Sequence, residues 1–321
     1  MKNLDFIIIG AQKSATTALY AYLREHPQIA MPAAKEAPFF DGDISDAPAW
    51  EAFSARHFPA PAETSDQLWG KASPQYMGHP EAPARIARLM PQTRLVAILR
   101  DPVERAWSHY QMCRRREVEL RDFEAAMDHC LTLQQQCRAR VATPPRHTLG
   151  YESEAAFYLA WSEYGRILQQ YLFHFPREQI LVLTTQELKQ DPAAALDRVL
   201  AFIGLAPGFR PANLGDVVHK GGGAPVITAA QRQRLRALAP LRWAWHCIPE
   251  SRREALRYWF DQKNVRKASA QPLQLTPAME ARLRAHFAED IAQLEQSFGL
   301  SLPWSSRYAS AVANCDTQAV A

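Results

Sequence analysis

The stretch Phe6-Ile7-Ile8-Ile9-Gly10-Ala11-Gln12-Lys13-Ser14-Ala15-Thr16-Thr17-Ala18-Leu19 decides how this chain is read. A short apolar run closes on Gly10, a lysine and small hydroxyl residues follow, and a helical pattern then opens. That order predicts a strand, a tight loop and a helix N-terminus. At such a junction unsatisfied backbone N–H groups and the positive end of the helix dipole converge, which suits an anion. Lys13 adds a point charge, and Thr16 and Thr17 add hydroxyl donors. The Walker A pattern G-x-x-x-x-G-K-[ST] fits badly, because Lys13 follows Gly10 by three residues and no second glycine precedes it. The loop suits phosphate, but not in the manner of a Mg-nucleoside triphosphate site.

A second junction lies at Leu95-Val96-Ala97-Ile98-Leu99, a continuous apolar run that reads as a buried strand. Arg100-Asp101-Pro102 follows, with Asp101 placed to cap a helix and Pro102 at its first position, where a missing N–H costs nothing. Arg100 then sits at the carboxyl end of a strand and Ser108 about two helical turns further on. Open parallel sheets bind ligands outside those carboxyl ends. Lys13 at one strand end and Arg100 at another predict two phosphate subsites on one nucleotide.

With both junctions in view, the chain resembles the sulfotransferases that use 3′-phosphoadenosine 5′-phosphosulfate (PAPS), and most of all the branch of heparan sulfate sulfotransferase domains and their bacterial relatives. The likeness runs through IIIGAQKSATTALYAYLREHPQI, AAKEAPFFD, KASPQYM, ILRDPVERAWSHY, FPREQILVLTTQELKQDP and LRAHFAEDIAQLEQSFGLSLPW, in family order. It implies that Gln12, Lys13, Ser14, Ala15, Thr16 and Thr17 cradle the 5′-phosphosulfate, with Lys13 stabilising the leaving phosphate. It implies that Arg100 and Ser108 hold the 3′-phosphate and that Glu36 is the general base. A late basic, glycine-containing loop closes the 3′-phosphate side. Lys220, Gly221, Gly222 and Gly223 are favoured for it over Arg266-Lys267, since glycines permit close backbone approach to an anion. The implied reaction moves a sulfuryl group from PAPS to a hydroxyl, less readily an amine, of a small-molecule or glycan acceptor, without a metal.

The residues leave some roles open. A glutamate after a lysine in a loop, as at Lys35-Glu36, is by default a solvated charge. Histidine serves as base in other branches, and His26, His79, His109 and His219 are alternatives here. His26 precedes Pro27 at a helix end, where interaction with the last carbonyls is expected. His109 should point about 100° away from Ser108. The heparan-type lysine directly before Ser/Thr-Pro is replaced by Ala72, with Lys71 one residue earlier. An extended segment sends Lys71 to the opposite face, which predicts a surface lysine. Arg114-Arg115-Arg116 reads as a solvated helix face or as a guide for an anionic acceptor. Two other function classes compete: a P-loop-like kinase or NTPase, and a nucleotide-binding protein without catalysis.

Alternating strands and helices predict an α/β fold, a P-loop-like three-layer sandwich whose mostly parallel central sheet carries helices on both faces. A helix is expected over Pro83–Met90, helical patterning over Val118–Arg140, helices over Ala155–Phe173 and Pro192–Ile203, and a third buried strand over Gln179–Leu183. Phe40 to Leu68 reads as loop with short helical turns. The 321 residues are expected to form a single domain over 1–306, with acceptor loops within 40–70, 112–155 and 220–270 and a disordered tail at 307–321. Net charge is +4, and no nucleic-acid module is evident. The five cysteines have no framework spacing, no apolar stretch spans a bilayer and no signal peptide is evident, so a cytoplasmic setting is expected.

Overall fold

The computed structural model describes residues 2–42, 45–58, 66–143, 151–216 and 275–309, with isolated positions between 226 and 273. Five strands, β1 (Phe6–Gly10), β2 (Ile29–Ala30), β3 (Leu68–Ala72), β4 (Arg94–Leu99) and β5 (Ile180–Thr184), form one sheet in the order β2-β3-β1-β4-β5. Every pairing is parallel. The register sets Ile8 opposite Ala72 on one side and Val96 on the other, and Leu99 opposite Thr184. From β1 the chain runs to the edge strand β2 and returns through β3 beside β1, then crosses to β4 and on to β5 on the other side. The winding therefore reverses between β1 and β4, and a topological switch point is where an open α/β sheet binds its ligand.

Because strand side chains alternate, β1 and β4 feed two cores. Phe6, Ile8, Val96 and Ile98 pack with α1 (Thr16–Arg24), α8 (Thr185–Gln190) and α9 (Pro192–Ile203). Ile7, Ile9, Leu95, Ala97 and Leu99 pack on the other face with α2 (Ala47–His57), α3 (Ala82–Leu89), α4 (Pro102–Arg115), α5 (Phe123–Cys130), α7 (Tyr164–Leu172) and α10 (Pro277–Phe298). The result is the three-layer α/β sandwich that the alternation predicts. Gly70 has no room for a side chain, since a Cβ there would lie 2.1 Å from the Phe6 ring.

Several expectations need correction. The stretch after Phe40 contains α2, an 11-residue helix capped by Asp46, which accepts from Ala49 N–H. The patterning over 118–140 resolves into α5 and α6 (Leu133–Val141), separated where the Thr132 hydroxyl caps the second helix. Residues 155–173 are not one helix: 3₁₀ turns at Tyr151–Phe157 and Ala160–Ser162 precede α7. Past residue 306 the chain still packs on the fold: Tyr308 is buried and donates to Asp101 Oδ1 at 2.9 Å, while Arg307 pairs with Asp101 Oδ2 at 3.1 Å. The expected tail beyond 309 and most of the expected acceptor loop over 220–270 lie outside the described residues.

Candidate active site

At the switch point the end of β1 and the end of β4 lie side by side, their pairing prolonged by the Ala11 N–H, which donates to the Ile98 carbonyl at 2.8 Å. The segment Gln12–Ala15 turns there into α1. Lys13 and Ala15 both take the left-handed backbone region, with φ of 72° and 62°. A non-glycine residue in that region is strained, and strain of this kind gathers at ligand clamps. Helix α1 opens from Ala15 without a side-chain cap, so its first-turn N–H groups face the loop concavity. Gln12 Oε1 and Ser14 Oγ are buried there without a hydrogen-bond partner. Buried polar atoms ordinarily have partners, so two orphans in one loop mark a place built for a polar ligand.

The electrostatics agree. Burial pushes the Lys13 ammonium down to about 7, and the charges of Arg115, Arg116 and Arg100 push it the same way against the pull of Glu36. Four cationic groups thus converge on the loop, a repulsion that an anion would relieve. Arg100 follows the last residue of β4, and its guanidinium grips Glu104 Oε2 at 3.0 and 3.1 Å. Glu104 and Ser108 are four apart on α4, so Arg100 and the partly exposed Ser108 line the same helical face. Asp101 caps that helix, accepting from Val103 and Glu104 N–H at 3.0 Å each. The arginine run is not merely a solvated face: Arg114 is exposed, but Arg115 and Arg116 are half-buried. Arg114 donates to the Glu119 carbonyl at 3.0 Å, Arg116 pairs with buried Glu154 at 3.0 Å, and Arg115 and Arg116 act on Lys13.

Glu36 lies in the irregular segment that follows β2, its side chain 32% exposed. Lys35 and Lys71 hold this segment. Buried Lys35 donates to Glu36 Oε1 at 2.7 Å and to Thr17 Oγ1 at 2.9 Å, tying the segment to the first turn of α1. Lys71 corrects the surface reading: it is fully buried, and its ammonium donates to the Ala37 carbonyl and to Ser73 Oγ. Alternation does send it to the face opposite Ala72, but that face is covered by the segment carrying Glu36. Burial pushes its ammonium down to about 8, opposed by Asp41 and Glu36. Farther along, Tyr76 accepts from Phe40 N–H at 3.2 Å.

Of the four candidate histidines, His26, His79 and His109 are buried. The His26 backbone N–H donates to the Leu23 carbonyl at the end of α1 at 3.1 Å, while its ring accepts from Gln28 N–H through Nδ1 at 3.1 Å and packs edge-on to Phe209. His79 Nδ1 accepts from Glu81 N–H at 3.2 Å. His109 stacks on Trp161, away from Ser108, and burial followed by Arg105, Lys13 and Arg116 holds it well below its ordinary value, hence neutral. Among the described residues, His109, Cys113 and Glu154 bring three metal-ligand types within 4.8 Å of one another. Arg105 stands 3.4 Å from His109 Nδ1 and Arg116 3.0 Å from Glu154, so guanidinium charge already attends the cluster. His219, Lys220, Gly221, Gly222, Gly223, Arg266 and Lys267 lie outside the described residues.

Comparison with known proteins places these features. Residues 3–219 match the model of the sulfotransferase domain. The chain is 33% identical over 221 residues to mouse bifunctional heparan sulfate N-deacetylase/N-sulfotransferase 4, covering 64% of this chain and 22% of that protein. It is 31% identical over 204 residues to human heparan sulfate glucosamine 3-O-sulfotransferase 3B1, covering 62% of this chain and 45% of that one. The chain therefore spans less than half the length of either relative. In fold it is similar to a sulfotransferase of Alicyclobacillus acidocaldarius, with a TM-score of 0.60 at 21% identity over 96% of this chain and 100% of that one. Since the family model covers both strand junctions and the loop between β1 and α1, the chain belongs to the sulfotransferase domain family.

Proposed function

We infer that this enzyme transfers a sulfuryl group from PAPS to a hydroxyl of a glycan or small-molecule acceptor. The observation that carries the reading is the convergence of Lys13, Arg100, Arg115 and Arg116 on an uncapped helix N-terminus at the switch point. The orphaned Ser14 Oγ and Gln12 Oε1 fit a ligand rich in anionic oxygen. In this reading residues 12–17 hold the 5′-phosphosulfate, Arg100 and Ser108 the 3′-phosphate, with Lys220–Gly222 closing over it. In this reading a single sulfotransferase domain spans 1–306. The donor, when bound, supplies an activated sulfuryl group and a phosphate leaving group.

The chain's own residues do the rest by positioning and electrostatics, as in phosphoryl transfer. Lys13 places its charge where negative charge grows on the leaving phosphate. Glu36, partly open to solvent, takes the acceptor's proton on a carboxylate oxygen. Two relatives named for heparan sulfate support a glycan acceptor. A Mg-nucleotide enzyme would need a free carboxylate at a strand end. Asp101, which occupies that place beyond β4, spends both oxygens on the α4 cap, Tyr308 and Arg307.

Calorimetric titration tests the reading, with adenosine 3′,5′-bisphosphate compared with ADP and Mg-ATP. Binding of the bisphosphate at least tenfold tighter than ADP is expected, and loss of that preference in Arg100→Ala. Preference for Mg-ATP would refute it.

A further inference from the structure

Lys35 has an arrangement that the donor site and the base do not by themselves require. Its side chain is only 6% exposed, and its ammonium reaches three oxygens: Glu36 Oε1 at 2.7 Å, Thr17 Oγ1 at 2.9 Å and Thr16 Oγ1 at 3.4 Å. Both threonines belong to the first turn of α1, at the positive end of its dipole. A buried ammonium there is unfavourable unless negative charge compensates it. Glu36 supplies that charge now, and an anion held by the loop would supply it from the other side. Glu36 also acts electrostatically on Lys13 and Lys71.

We propose that Lys35 is a positioning residue that couples the donor loop to Glu36, its ammonium being shared between the carboxylate and an anion bound at Thr16 and Thr17. The coupling is reciprocal: an anion in the loop draws the ammonium and leaves Glu36 less neutralised, while Glu36 competes with the anion for Lys35. The proposal rests on the donor reading above.

Its test needs no acceptor. The affinity of adenosine 3′,5′-bisphosphate is measured for the wild type, Glu36→Gln, Lys35→Met and the double variant, each checked for folding by circular dichroism. Glu36→Gln should tighten binding at least threefold in the wild-type background and by less than 1.5-fold alongside Lys35→Met. An equal gain in both backgrounds would show simple repulsion between Glu36 and the anion and would overturn the coupling. Should Lys35→Met not fold, Thr17→Val replaces it, cutting the loop end of the link while leaving the ammonium in place. The gain from Glu36→Gln should shrink there too, and an undiminished gain would overturn the proposal. Absence of any binding by the wild type is a different outcome, since it strikes the donor reading itself.

Discussion

Lys13 is a residue whose charge state should report on its own ligand. In the free protein its ammonium is pushed down to about 7, first by burial and then by Arg115, Arg116 and Arg100. Because this lies below the unfolded value, the unfolded chain binds more protons between the two, and Lys13's contribution to stability rises with pH across that window. An anion in the loop reverses the repulsion and restores the proton. Titrating the bisphosphate at pH 8 in buffers of different ionisation enthalpy should reveal uptake approaching about one proton, abolished in Lys13→Ala. Uptake unchanged in that variant would assign the proton elsewhere. Lys71 teaches the opposite lesson about reading single residues. Its face of β3 follows from alternation, but whether that face meets water depends on the segment Lys35–Phe40 folding over it.

At the scale of elements, α4 is the part that aims the site. Asp101 begins it, Arg100 precedes it, and its last turn carries Arg115 towards Lys13. Pro102 after an aspartate makes that start legible in the residues. What they do not reveal is that Tyr308, some two hundred positions on, donates to the capping carboxylate. Asp101→Ala should remove a cap and strand a buried hydroxyl together, lowering the free energy of unfolding by about 2–4 kcal/mol. Urea unfolding checks this, and Tyr308→Phe should cost less, since the cap survives. A loss below about 0.5 kcal/mol for Asp101→Ala would mean the helix start is held by other contacts.

Over the whole molecule, the seam between α7 and α10 ties the C-terminal helix to the sheet layers. Asp290 on α10 accepts from the Gly165 and Arg166 N–H groups at 2.9 and 2.8 Å, and a Cβ at Gly165 would lie 2.2 Å from the Asp290 carbonyl. Beside it, burial alone would raise Glu163, but His286, Arg140 and Arg166 hold it down to about 2. Asp290 is pushed up to about 6 by burial. The signs oppose each other. Glu163 contributes stability above its unfolded value of 4.5, lost as pH falls towards 2, whereas Asp290's contribution is lost as pH rises through 6. Glu163→Gln should therefore unfold at lower urea than wild type at pH 7, with the gap closing as pH drops from 4.5 towards 2. A gap independent of pH would mean that packing, not charge, carries the effect. Among the described residues, no helix is long and apolar enough to cross a membrane.

The sequence by itself determined the elements whose signals are local: the strands before Gly10 and Arg100, the loop through Lys13, the Asp101 cap and the alternation that makes a three-layer sandwich. Apolar runs, caps and turn residues act over a few positions, so they can be read in order. Only the tertiary structure decided what lies against what: the order β2-β3-β1-β4-β5 that brings Lys13 beside Arg100, the burial of Lys71, the Lys35 link between Thr17 and Glu36, and the docking of Tyr308 on Asp101. The physical reason is that burial and charge pairing depend on neighbours distant in the chain. The dipeptide Lys35-Glu36 has the same residues whether solvated or enclosed, and only the packed loop and β3 around it make it a site.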